Sequence, residues 1–128
     1  MDLKEKVIWI TGASSGIGEA LAVELSKQGA KIIFSARRKE ELLRVQKKCN
    51  LNDSNSLILP LDLSDTNEIN SLTEKIISQF GRIDILINNG GLSQRSYVKD
   101  TPFSIDRKVM EINFFGTIAI TKSVCSDL

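Results

Sequence analysis

Apolar residues along the chain fall into two patterns, short continuous runs and wider-spaced stripes. The runs are typical of buried parallel strands, because such strands are covered on both faces. They predict four strands, at Val7–Thr11, Lys31–Ser35, 56–61 and 83–87. Helix-like stretches separate the runs, and strands that alternate with helices predict a parallel sheet with right-handed crossovers.

The stripes, with apolar residues three or four positions apart, predict amphipathic helices between the strands. The first begins near Ser15 and ends near Gly29. Asp65, with Glu68 three residues later, predicts a capping box for the third helix, and Gly81 ends that helix. The last helix begins near residue 104 and continues to the end of the chain. The apolar faces of the second and third helices consist of Leu42, Val45 and Cys49, and of Ile69, Leu72, Ile76 and Phe80.

These elements predict the α/β class, with a Rossmann-type, doubly wound parallel sheet in three α/β/α layers. At 128 residues the chain is one domain, residues 1–128. We find no internal repeat and no interdomain linker in the sequence.

Composition excludes several classes of function. A net charge of +1 gives no electrostatic reason to expect a nucleic-acid partner. Without histidine, the chain has no Ser-His or Cys-His catalysis, and we expect no metal site. Cys49 and Cys125 fit no metal or redox spacing, which favours reduced cysteines. Because we find neither a secretory signal nor an apolar run of about 20 residues, we expect a cytoplasmic location.

Residues 11–18, Thr-Gly-Ala-Ser-Ser-Gly-Ile-Gly, connect the first strand to the first helix. Gly12 permits a sharp exit from the strand, Gly16 leaves room for a phosphate, and Gly18 allows the helix to pack closely on the sheet. The first helical N–H groups and the helix dipole attract an anion. We interpret this segment as the pyrophosphate site of a dinucleotide; the alternative is a glycine-rich loop without a ligand.

The spacing T-G-x-x-x-G-x-G resembles that of the short-chain dehydrogenase/reductase family. The resemblance implies an oxidoreductase that interconverts carbonyl and hydroxyl groups with a nicotinamide cofactor. It implies cofactor contacts at Thr11, Gly12, Ser14, Ser15, Gly16, Ile17 and Gly18.

The end of the second strand indicates which nicotinamide cofactor is used. An acid at this position binds the ribose 2′-hydroxyl, whereas an arginine binds a 2′-phosphate. The chain has Arg37 and Arg38 and no acid there. We therefore expect NADP(H), with Arg37 as the main contact and Arg38 as the second candidate. The alternative is that both arginines are solvated residues at a helix start.

The ends of the third and fourth strands carry two more matches to the family. Asp62 and Leu63 end the third strand, where the family has an acid that meets the adenine amino group; Asp62 could instead be a turn residue. Asn88, Asn89 and Gly90 follow the fourth strand and resemble the family's Asn-Asn-Ala-Gly, which joins neighbouring strands and lines the cofactor site. Glycine in place of alanine leaves the backbone freer.

Four longer segments of the sequence resemble one subgroup of the family. The resemblance to this subgroup implies an NADP(H)-dependent enzyme acting on lipid-like substrates of the steroid or retinoid type. Relatives in the subgroup often begin with an apolar membrane anchor of the endoplasmic reticulum, and we find none before the first strand in these 128 residues. The segments that carry the match are 34–38, 59–63, 80–86 and 88–96.

The resemblance assigns one residue of the proton-transfer machinery, Asn113, which in the family holds a water of the proton relay. The family's proton donor is a tyrosine followed four residues later by a lysine, with a serine that orients the carbonyl. Tyr97 is the single tyrosine, and Thr101 stands four residues on. Ser123 and Ser126 lie within the last helix and do not match the family serine. We therefore expect the 128 residues to be inactive alone, since general acid catalysis typically contributes about 10²–10⁴-fold.

In the family the strand order is 3-2-1-4-5-6-7, so the chain corresponds to a fold truncated after the fourth strand and its following helix. The fourth strand would then be an exposed edge, prone to aggregation. The last helix contacts a partner subunit in the family, which implies a homo-oligomer. The other hypotheses are a non-catalytic dinucleotide-binding or subunit-pairing isoform, and a flavin or nucleoside domain; Arg37 and the Asn-Asn-Gly-Gly segment argue against the last.

Overall fold

A computed structural model of the chain describes residues 2–92 and 96–125. Residues 93–95 of the segment 88–96, and the final residues 126–128 of the last predicted helix with Ser126, lie outside the described residues.

Four parallel strands form one sheet: β1 (Val7–Thr11), β2 (Lys31–Ser35), β3 (Ser56–Ile58) and β4 (Ile85–Ile87). They lie in the order β3-β2-β1-β4. The central strand β1 is buried along its whole length, and its Ile8 lies between Ile32 of β2 and Ile85 of β4. This order confirms the predicted parallel, doubly wound sheet.

Helices cover both faces of the sheet, which gives the predicted three layers. The helices are α1 (Gly16–Lys27), α2 (Lys39–Lys48), α3 (Ile69–Phe80), α4 (Phe103–Met110) and α5 (Thr117–Cys125), with a 3₁₀ turn at Val98–Asp100. On one face, Ile8 and Ile32 pack with apolar residues of α1 and α2; on the other, Trp9 packs with those of α3 and α5. Alternate residues of β1 thus enter two separate cores, as its continuous apolar run requires.

Two of the predicted strands are shorter in the structure. The pairing of β3 ends at Ile58 rather than at Leu61. The chain nevertheless stays beside β2, since Leu59 and Leu61 donate to the carbonyl oxygens of Phe34 and Ala36, each at 2.9 Å. Strand β4 begins at Ile85, two residues later than predicted.

The predicted capping box at Asp65 is wrong. The Asp65 carboxylate accepts the backbone N–H of Asn67 at 3.0 Å, so it closes a local turn instead of capping a helix. Helix α3 begins four residues later, at Ile69, and Glu68 makes no side-chain hydrogen bond as its cap.

The predicted last helix is confirmed from Phe103 to Cys125, with one irregular segment that the sequence did not indicate. A π-helical segment, Glu111–Gly116, separates α4 from α5. At Gly116 this helical region passes close to the chain after β3, since a Cβ there would lie 2.5 Å from the backbone oxygen of Leu63. Glycine, which has no Cβ, allows this close approach. None of the described helices has both the length and the apolar character needed to cross a bilayer.

Candidate functional site

A cleft of about 680 Å³ opens at the carboxyl ends of the strands, beside β1. At β1 the strand order reverses, and ligands of doubly wound sheets bind at that point. Segments that follow all four strands line the cleft, so residues far apart in sequence meet there. Ten of the predicted cofactor contacts are among its lining residues: Thr11, Gly12, Ser14, Ser15, Arg37, Arg38, Asp62, Leu63, Asn89 and Gly90.

The other predicted contacts of the glycine-rich segment, Gly16, Ile17 and Gly18, form the first turn of α1 and do not line the cleft. Gly16 has a φ of +56° and open space where a Cβ would stand. At Gly18 a Cβ would lie 2.1 Å from the Gly12 carbonyl oxygen, which confirms the expected close packing at the start of the helix. The side chain of Ile17 is 72% exposed.

Thr11 joins the ends of β1 and β4 beneath the cleft. Its hydroxyl oxygen accepts the backbone N–H of Asn89 at 3.0 Å and that of Gly90 at 2.8 Å. The residue is buried. Its hydroxyl oxygen satisfies the Gly90 N–H and shares the Asn89 N–H with the Ile87 carbonyl oxygen, which lies 3.1 Å from the Asn89 nitrogen. Thr11 therefore shapes the cleft floor through its neighbours.

The two asparagines after β4 hold neighbouring elements together, as predicted for paired amides. The side chain of Asn89 donates to the Gly12 carbonyl oxygen at 3.1 Å, which ties β4 to the glycine-rich segment. The side chain of Asn88 donates to the Thr121 hydroxyl at 3.1 Å, which ties β4 to α5.

Arg37 and Arg38 lie exposed at the mouth of the cleft, directly after β2. Neither guanidinium forms a hydrogen bond or ion pair with another residue in the described ranges 2–92 and 96–125. Their donors are available to a ligand. A guanidinium in that state fits a phosphate, which it can bind through two parallel hydrogen bonds.

Asp62 supplies the negative charge of the cleft. Its carboxylate accepts the Ser64 hydroxyl at 2.6 Å and the Ser64 backbone N–H at 2.9 Å. These two hydrogen bonds, with the nearby charges of Arg37 and Lys108, lower the pKa of Asp62 against the opposing effect of partial burial. The group thus stays ionised at neutral pH and acts as an acceptor. The Ser64 contacts also bear out the turn interpretation of Asp62, which does not exclude a second acceptor role.

Asn113 lies in the π-helical segment and is not among the lining residues of the cleft. Its side-chain oxygen accepts the backbone N–H of Leu92 at 2.7 Å, and its amide nitrogen donates to the Leu92 carbonyl at 2.7 Å. Leu92 does line the cleft, so Asn113 acts on the site through that residue.

Sequence reasoning missed seven lining residues. Lys108 and Ile112 come from the last helical region, and only the folded chain brings them to the cleft. For the strand-end residues a signal existed, since each lies within two positions of a predicted contact. The missed residues are Ser35, Ala36, Leu61, Gly91, Leu92, Lys108 and Ile112.

Comparison with known proteins agrees with this geometry. The sequence profile described as short chain dehydrogenase matches residues 6–128. The chain is 50% identical over 127 residues to human "Dehydrogenase/reductase SDR family member 7" and 47% identical to the mouse protein of that name. These alignments cover 96% of this chain and 38% of each relative.

A solved structure of a short chain dehydrogenase from Bacillus anthracis superposes with a TM-score of 0.93 at 32% identity. The match covers 98% of this chain and 51% of that one. The chain thus spans about half of the fold seen in that structure.

Proposed function

The chain belongs to the short-chain dehydrogenase family, and on that basis we propose that it binds NADP(H) as the cofactor-binding part, residues 1–128, of an oxidoreductase that interconverts carbonyl and hydroxyl groups. The family uses nicotinamide cofactors, and the choice of NADP(H) over NAD(H) is our inference. The observation that supports it most is a pair of guanidinium groups, Arg37 and Arg38. They line the same cleft as Gly12 and form no hydrogen bond or ion pair within residues 2–92 and 96–125.

Residues in the cleft, and Gly16 next to it, suit the parts of this cofactor. Open space at Gly16, beside the N-terminus of α1, suits a pyrophosphate. Asp62, kept ionised, suits the adenine amino group as an acceptor, and Arg37 suits a 2′-phosphate. When bound, the nicotinamide supplies or accepts the hydride.

We propose that these 128 residues bind the cofactor without completing the proton transfer. Tyr97 is the one tyrosine of the sequence, and the residue four positions on is Thr101 instead of lysine. For the whole protein we propose a small, lipid-like carbonyl or alcohol of the steroid or retinoid type, on the strength of the subgroup resemblance. The second candidate, a non-catalytic dinucleotide-binding or subunit-pairing isoform, keeps the same cofactor site.

We further propose that the whole protein is a homo-oligomer. Exposed apolar side chains on one stretch of the last helical region support this, because such side chains favour a protein interface. They are Phe103, Met110, Phe114 and Phe115, each at least 49% exposed.

Calorimetric titration of the full chain with NADPH and NADH tests the cofactor proposal. We expect NADPH to bind more tightly. Arg37→Asp should weaken NADPH binding by about tenfold or more, because a charged, bidentate contact is lost, and should change NADH binding less than about threefold. Lys75→Asp, which makes the same charge change on α3 away from the cleft, is the matched control.

Two results would contradict the proposal. If neither NADPH nor NADH binds, the cleft is not a dinucleotide site. If both cofactors bind and Arg37→Asp leaves the ratio of their affinities unchanged, the site binds a nicotinamide cofactor but Arg37 does not select NADP(H).

A further inference from the structure

Arg44 of α2 contacts the glycine-rich segment although it does not line the cleft. Its Nη2 donates to the backbone oxygen of Ser14 at 2.9 Å. We propose that Arg44 is a positioning residue: it fixes the peptide between Ser14 and Ser15 so that the Ser15 N–H faces the pyrophosphate of a bound dinucleotide. This inference rests on the proposed function.

In a planar trans peptide the C=O and the following N–H point in opposite directions. Arg44 holds the Ser14 oxygen on the side of α2, so the Ser15 N–H points the other way, toward the cleft that Ser14 and Ser15 line. Within residues 2–92 and 96–125 that N–H donates to no acceptor, so it is available to a ligand.

Carboxylates on two helices keep the guanidinium in this place. Glu19, in the first turn of α1, accepts Nη2 of Arg44 at 2.9 Å and Nη1 at 3.3 Å. Glu41, one turn earlier on α2, accepts Nε at 3.1 Å. Lys48 adds a bond of 2.7 Å to the second oxygen of Glu19, whose side chain is only 14% exposed. With four of its bonds made, the guanidinium has little freedom to leave Ser14.

The same contacts have a second interpretation, in which Arg44 only fastens α2 to α1. The two interpretations differ in what the loss of Arg44 changes. If Arg44 only fastens the helices, its loss lowers stability and weakens the binding of every ligand alike. If Arg44 positions the peptide, its loss weakens the binding of ligands with a pyrophosphate and leaves the affinity for other ligands unchanged.

The test compares the full chain with Arg44→Met, Arg44→Lys and Lys47→Met, each titrated by calorimetry with NADPH, NADH and adenosine 2′-monophosphate. We expect Arg44→Met to weaken the binding of both dinucleotides by the same factor, about three- to tenfold, and to change the affinity for the monophosphate by less than about twofold. Arg44→Lys, which keeps a charged donor, should recover part of the loss. Lys47→Met makes the same charge change on the exposed side of α2 and should bind all three ligands like the parent chain.

Circular dichroism and thermal unfolding show whether each variant is folded; should Arg44→Met fail to fold, Arg44→Lys carries the comparison, with a smaller loss confined to the dinucleotides. Equal losses for all three ligands, or unchanged dinucleotide binding, would overturn the positioning role. If the parent chain bound neither NADPH nor NADH, the proposed function itself would fail, which is a different outcome from an unaffected variant.

Discussion

The side-chain amide of Asn113 pairs with the backbone of Leu92 through two hydrogen bonds of 2.7 Å. The pair joins the π-helical segment to the chain that follows β4, so a residue outside the cleft holds part of the cleft wall. Its role in holding a water of the proton relay stays a prediction. The contacts support an additional structural role, in which Asn113 braces the backbone at Leu92; we call this pairing the brace.

Replacing Asn113 by aspartate tests the brace. The carboxylate still accepts the Leu92 N–H but opposes the Leu92 carbonyl, so one hydrogen bond is replaced by repulsion between two acceptors. We expect Asn113→Asp to lower the free energy of unfolding by about 1–3 kcal/mol, measured by urea denaturation. The control is Asn70→Asp on the exposed side of α3, which should stay within about 0.5 kcal/mol of the parent chain. Equal stability of the two variants would show that the Leu92 pairing contributes nothing.

Two glycines approach Leu63 and differ in what an added methyl group would meet. At Gly116 a Cβ would stand 2.5 Å from the Leu63 backbone oxygen, whereas at Gly90 it would stand 2.7 Å from the tip of the Leu63 side chain. Backbone cannot move aside as cheaply as a rotatable side chain. We expect Gly116→Ala to cost about 1–3 kcal/mol of unfolding free energy and Gly90→Ala about 1 kcal/mol or less. Thermal and urea unfolding measure both, and the reverse order would contradict this packing.

The pKa of Glu19 gives the stability a pH dependence. Hydrogen bonds from Arg44 and Lys48 lower it from 4.5 to about 2. Because the pKa is depressed in the folded chain, the stabilisation is complete above about pH 4.5 and is lost as the pH falls toward 2. Glu19→Gln removes this contribution, so its difference in unfolding free energy from the parent chain should shrink between pH 5 and pH 2.

Urea denaturation at a series of pH values measures that difference. Glu24→Gln, on the same helix, is the matched control, since Glu24 forms no ion pair within the described residues. A gap between the parent chain and Glu19→Gln that stays constant with pH would show that the ion pairs do not stabilise the folded chain.

Lys108 adds a third positive charge to the cleft that Arg37 and Arg38 also line. If the cleft binds a 2′-phosphorylated cofactor, this charge attracts the phosphate over a short distance. We expect Lys108→Met to weaken NADPH binding about two- to fivefold at low salt and NADH binding less, with the difference reduced at high salt. Lys75→Met, outside the cleft, should leave both affinities unchanged. If the two variants had equal effects, Lys108 would act only through the net charge of the protein and not through its position in the cleft.

Local signals explain what the sequence predicted well. The turn after β1 needs glycine at particular positions, and the strand ends carry Arg37, Asp62 and Asn89 directly after apolar runs, so their common edge followed from the parallel order. Those features depend on a few neighbouring residues and on one topological rule. The resemblance to the short-chain family predicted the strand order, and ten of the predicted cofactor contacts line the cleft.

Contacts between distant segments explain what was missed. The hydrogen bond from Arg44 to Ser14 spans 30 positions, and Lys108 reaches the cleft only because α4 folds back over it. No local pattern marks either residue. The start of α3 was misplaced because Asp65 suits both a cap and a turn, and its side chain bonds Asn67 instead.

The π-helical segment also affects which changes in chain length the fold tolerates. A wide turn accommodates one residue more than an α-helical turn, so a single-residue deletion within 111–116 is expected to restore regular α-helical winding. Because the lost residue and the tighter winding compensate each other, α5 would keep its rotation relative to α4, and Ile120 and Val124 would stay buried. A single-residue deletion within α4 or α5 would instead turn the two ends of the helix by about 100° relative to each other. We therefore expect homologues to vary in residue number within 111–116 more readily than in the regular helix on either side.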